Sequence, residues 1–153
     1  PSQGPGSVVS GPSGLSHVNP ITAKQIDAIL PFLEQFEETG FSVGTWHNKP
    51  GVMPWLNFTE VVLEFQQILY ANDWVTPKVD WVEWQDVAEE YVDSPEKIKS
   101  ADVVTVQKLF TTHVRKDRFC EGHLAAMFEN GHIVALLRRL KEIRETTPDT
   151  ADR

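Results

Sequence analysis

A chain of 153 residues with 41% apolar and 24% charged side chains has the size of one ordinary domain, and that balance excludes a chain too polar to fold. No uncharged apolar run approaches the ~18 residues of a membrane span, and the single cysteine, Cys120, excludes an intrachain disulfide framework and a zinc site built from four cysteines. The net charge of −8 is unevenly placed: residues 1–107 hold 5 Lys/Arg against 15 Asp/Glu, whereas residues 108–144 hold 8 against 4. An acidic whole argues against a nucleic-acid partner, while the basic stretch leaves room for a local anion site. The N-terminus has neither a basic n-region nor an apolar h-region, so the expected location is cytoplasmic.

Residues 1–19 contain 4 Gly, 3 Pro and 5 Ser. With so little to bury, ordering entropy wins and a flexible tail is expected. The folded domain is expected over 20–146, with 147–153 frayed. Thr22 and Gln25 stand at capping-box spacing, and Ile26, Ile29, Leu30, Leu33 and Phe36 form a helical stripe that Pro31 should kink or split. Residues 40–57 are broken by Gly40, Gly44, Pro50, Gly51 and Pro54. They read as a long loop, some of it possible as a short hairpin, carrying Phe41, Trp46, Met53 and Trp55.

Asn57 and Glu60 suggest the cap of a helix with Val61, Phe65, Ile68 and Leu69 as its stripe. Trp74–Pro77 reads as a connector. Asp80 should cap a short helix whose Trp81 and Trp84, three apart, bury on one face. Ser94, Pro95 and Glu96 mark another short turn of helix. Further helices are expected over about 102–114, 121–129 and 132–143, the last two separated by Asn130-Gly131, where a positive φ suits glycine. No segment keeps a period of two, so the fold class expected is all-α, a single compact bundle of about six helices.

The densest chemistry lies in 113–123. Arg115 and Arg118, three apart, offer planar, permanently charged forks for a carboxylate or phosphate; with Arg139 they would form an anion cradle. Cys120-x-x-His123 has helical ligand spacing, with Asp117, Glu121, His113 and His132 near in sequence, but too few ligands converge to expect a metal. Cys120 with His113 or His123 as nucleophile and base is a weak signal. No glycine-rich phosphate loop or nucleophile elbow is present, and no cofactor is expected. The pair 121–129 and 132–143 has helix-turn-helix lengths, yet Arg138, Arg139 and Lys141 fall in the second helix's C-terminal half, where major-groove readers rarely carry their contacts.

The segments from Arg115 to Leu124, from Phe128 to Ile133 and from Leu137 to Leu140 resemble the prokaryotic domain-of-unknown-function family 6508, with its R-x-D-R-F-x-E-G-x-L, G-x-I and L-R-R-L pattern. The Asp80-Trp81-x-x-Trp84 element and the helix before it are similar too, so the resemblance covers about 20–144. It implies no activity. It singles out Arg115, Asp117, Arg118, Phe119, Glu121, Gly122, Gly131 and Arg139.

The expected function is a non-enzymatic binding or regulatory module that recognises an anionic group, on a small ligand or a protein partner. Its site would comprise Arg115, Arg118, Glu121 and Arg139, closed by Trp46 and Trp55. The alternatives are an enzyme on a small phosphorylated or carboxylated substrate, with Glu121 or His123 as acid/base, and a DNA-binding or phage-related regulator.

Overall fold

In the computed structural model, which describes residues 20–146, Thr22 and Gln25 close the reciprocal cap that their spacing predicts: the Gln25 side chain accepts from the Thr22 amide at 2.8 Å. The helix that follows, α1 (Ala23–Ile29), ends where Pro31 removes a backbone donor, and α2 (Pro31–Glu37) starts afresh with proline in its first turn. The tail expected over 1–19 and the fraying expected over 147–153 lie outside the described residues.

The segment expected mainly as a loop is a β-hairpin. Strand β1 (Gly44–Lys49) pairs antiparallel with β2 (Val52–Phe58), with Trp46 opposite Leu56 and His47 opposite Trp55. Gly51 supplies a positive φ of 77° at the turn. Gly44 is required for a different reason: a Cβ there would lie 2.2 Å from the Asn57 carbonyl oxygen. The all-α expectation is therefore corrected to a predominantly helical fold with one two-stranded sheet. Punctuation by glycine and proline hid the strands, because the sequence between those residues is too short to show an alternation.

The other helices are α3 (Glu60–Ala71), α4 (Trp81–Asp93), a 3-10 helix (Pro95–Ser100), α5 (Val103–Asp117), α6 (His123–Glu129) and α7 (His132–Thr146). Asn57 does not cap α3; it lies in β2, Thr59 precedes the helix, and the buried stripe is Val62, Phe65 and Leu69. The cap expected at Asp80 forms, with its carboxylate accepting from the Glu83 amide at 3.1 Å. Asp102 does the same for α5, accepting from Thr105 at 2.8 Å.

The core sits where α2, α3, α5, α6 and α7 meet. Phe36 packs edge-on against both Phe65 and Phe128, each at 4.9 Å between ring centres, a geometry that matches ring edges to ring faces. Trp81 and Trp84 are only half-buried. The tryptophan that anchors the core is Trp74, in the connector: it is fully buried, and its indole N–H donates to the Gln25 carbonyl at 2.9 Å. Asp73, at φ 62°, makes the bend that turns Trp74 inward.

Candidate functional site

The C-terminal end of α5 runs into a tight turn before α6, and three contacts fix that turn. The Asp117 carboxylate accepts from the Leu124 amide at 2.9 Å. Gly122 adopts φ 90°, and any Cβ there would come within 2.9 Å of the Trp46 indole; both the left-handed backbone and the close approach demand glycine. The Glu121 carboxylate accepts from the Leu56 amide at 3.2 Å, docking the hairpin on the turn. Burial, reinforced by the nearby Glu121 carboxylate, raises the Asp117 pKa above the usual value, while its bonds to the Leu124, Gly122 and His123 backbone pull it down. Beyond the turn, Phe119 remains 73% exposed although Trp81 stacks on one face at 5.6 Å.

Four of the expected site residues are brought together at this end of the molecule: Arg115 and Arg118 on α5 and its cap, Glu121 on the turn, and Trp46 from the hairpin. Trp55 is not. It pairs across the hairpin with His47, onto which it stacks at 5.2 Å, and neighbours along a strand face opposite sides. Arg139 is not there either. Its Nε donates to the Ala101 carbonyl at 2.7 Å and its Nη1 to Glu142 at 3.2 Å. Ala101 precedes α5, so Arg139 sits at the end of that 15-residue helix opposite Arg115 and Arg118, a separation of ~20 Å at 1.5 Å per residue. There it lines an open concavity of about 330 Å³ with Pro95, Ile98, Lys99 and Ala135.

The arginines also differ in what holds them. Arg138 pairs with Glu37, and Arg144 with Asp27 at 2.8 Å. Together with Arg139, they staple α7 to the rest of the fold. Arg118 is exposed and makes no ion pair among the described residues, and the buried Nε of the half-buried Arg115 has no acceptor.

Beside this cluster lies a feature whose members the sequence offered separately, as metal-ligand or acid/base candidates. The His113 ring bridges two others: its Nδ1 lies 2.9 Å from His123 Nε2, and its Nε2 lies 3.1 Å from His132 Nε2. The three come from α5, α6 and α7, so no local spacing announces them. Both nitrogens of the central ring face other rings, and the three do not converge on one point. Among the described residues no group of three or more His, Cys, Asp or Glu could hold a metal ion.

Burial, then the neighbouring His132 and His123 rings and Lys116, holds His113 well below the ordinary imidazole pKa. Burial and Lys116 push His123 down to about 4. Burial and His123 do the same to His132, also to about 4. At neutral pH the three rings are therefore uncharged.

Residues 21–146 match the family of unknown function DUF6508. The chain belongs to that family. The match spans every helix and strand described above, and the Arg115–Gly122 segment that builds the turn lies inside it. No curated protein and no solved structure matches the chain. Among the described residues of this DUF6508 member, no helix is long and apolar enough to cross a membrane.

Proposed function

We propose that this protein is a binding module for an anionic group, a phosphate or carboxylate on a small ligand or partner protein, at the face formed by Arg115, Arg118 and the hairpin-docked turn. The observation that carries this reading is the Arg115 Nε, buried and without an acceptor. A buried guanidinium donor left unpaired is costly, and a bound oxyanion would satisfy it through a charge-assisted bond. The Arg118 guanidinium, three residues along and without an ion pair among the described residues, adds a second fork. Trp46, 49% exposed beside Gly122, and the Phe119–Trp81 stack add apolar surface at the same end of the molecule.

Binding fits better than turnover, because the two acid/base candidates are engaged: Glu121 by the Leu56 amide and His123 by His113. A DNA-reading role for α7 is disfavoured, since Arg138 is paired with Glu37 and Lys141 borders a concavity shared with Asp27, Glu34 and Glu37.

Thermal unfolding with inorganic phosphate, pyrophosphate and citrate tests the reading. At least one should raise the wild-type midpoint as its concentration passes the Kd, Arg118→Ala and Arg115→Ala should lose the shift, and Arg138→Ala should keep it. No shift in the wild type, or a shift equal in all four proteins, would overturn the proposal.

A further inference from the structure

Two ring–ring hydrogen bonds limit how many protons the histidine chain can carry. Three rings offer six nitrogens. Each of the two N–H···N bonds holds one proton, and the nitrogens left over are the outer Nδ1 atoms of His123 and His132. The neutral chain has three protons, so one outer nitrogen is protonated and the other is bare. A fourth proton still leaves both bonds intact. A fifth places two N–H groups nose to nose and breaks one bond.

The surroundings make even the fourth proton unfavourable. From α5, Lys116 opposes positive charge on His113 and His123. Asp117 directs its carboxylate at the Leu124 amide. Glu121, on the turn, faces Asp117 and binds Leu56. No carboxylate among the described residues hydrogen-bonds any of the three rings.

The chain is not uniformly enclosed. His113 and His132 are 2% and 5% exposed, whereas His123, the first residue of α6, is only half-buried. His123 directly follows Gly122, against which Trp46 packs, and stands two residues after Glu121, which holds Leu56. We propose that the His132–His113–His123 chain is an acid-released clasp: loss of His123 from its end frees the α5–α6 turn and, with it, the hairpin docked there.

The sign follows from linkage. A released imidazole takes up a proton near pH 6.5, but one in the chain only near 4. Closure is therefore strongest above pH 6.5 and weakens as pH falls toward 4, with the opening constant rising about tenfold per pH unit in that window. If the anion reading above holds, the same release would loosen the turn beside Arg118; the clasp itself does not depend on that reading.

Amide hydrogen exchange from pH 7.5 to 5, corrected for intrinsic rates, tests the clasp without any ligand. Leu56 and His123 amides should lose protection by about tenfold at pH 5.5, while the Phe65 amide in the core keeps its own. His123→Gln, which retains a hydrogen-bonding group but does not titrate, should abolish the pH dependence. Asp117→Asn, and His47→Gln on the hairpin, should leave it in place. A dependence that survives His123→Gln, or that vanishes in Asp117→Asn or His47→Gln, would overturn the proposal. Should His123→Gln fail to fold, nitrogen NMR of histidine-labelled wild type decides: the clasp requires couplings across both N–H···N bonds and a His123 midpoint well below 6.5, and a ring titrating at or above 6.5 would refute it.

Discussion

The Leu56 amide donates to the Glu121 carboxylate across 65 residues of sequence, and this bond, with Trp46 lying over Gly122, ties the hairpin to the helical body. Glu121→Ala should release that edge of the hairpin while leaving the core intact. The expected loss of stability is about 1 kcal/mol, in keeping with an exposed hydrogen bond. Tryptophan emission should shift to the red as Trp46 gains water, and an unshifted spectrum would count against this docking role.

Gly122→Ala combines two faults at one position. A side chain at φ 90° is strained, and its Cβ would strike the Trp46 ring. We expect a stability loss of about 2 kcal/mol or more, from backbone strain of 1–3 kcal/mol with displacement of the indole added. Trp46→Ala in the same chain should recover the part due to the clash and leave the part due to φ, which a double-mutant cycle measures.

Trp74→Ala should be among the most damaging single changes, at about 3–5 kcal/mol. Trp74→Phe keeps most of the volume and loses only the indole bond to the Gln25 carbonyl, which keeps its place in the α1 ladder, so about 1 kcal/mol is expected. Trp81→Ala, at a half-buried ring stacked on an exposed phenylalanine, should be milder than Trp74→Ala. Chemical denaturation of the three variants checks the order.

The Asp102 cap carries a pH signature. Its bonds to Thr105, first the side chain's and then the backbone's, hold its pKa below the usual carboxylate value. A depressed folded pKa means the stabilisation is complete above the unfolded value and fades as pH drops through the folded one. Asp102→Ala should therefore cost about 1 kcal/mol at pH 7, and the gap from wild type should narrow below pH 4.

Arg138→Ala tests the opposite case. Its pair with Glu37 is largely solvent-exposed on the arginine side, 64% by side-chain surface, so water screens it and a loss of no more than about 1 kcal/mol is expected. A larger effect in urea denaturation would show that this staple on α7 does more than surface pairing ordinarily does.

Local signals were readable in the chain and distant partnerships were not. The Thr22–Gln25 cap, the break at Pro31, the Asp80 cap and the stop at Gly131 each depend on residues within four positions, and each stands in the structure. Trp74 looked like connector because its neighbours Asn72 and Asp73 are turn formers; its burial rests on partners far along the chain, Gln25, 49 residues away, and Phe110 among them. The same holds at the site. Charge density exposed Arg115, Arg118 and Arg139 as a group, but spacing cannot reveal that Ala101 and Glu142 take up the third. Likewise, the face on which Trp55 falls depends on a strand register that begins only once Gly44 lies flat against Asn57.

The stapling of α7 has a consequence for how the chain is made. Arg144 reaches Asp27 over 117 residues and Arg138 reaches Glu37 over 101, so α1 and α2 await a partner that leaves the ribosome long after they do. Until then Ile29, Phe32 and Phe36, all buried in the finished fold, stand uncovered on the nascent chain. Long-range closure of this kind slows folding and prolongs exposure of sticky surface. A message cut short within α7 should accordingly yield a product retained by chaperones or cleared by proteases rather than a shortened working domain.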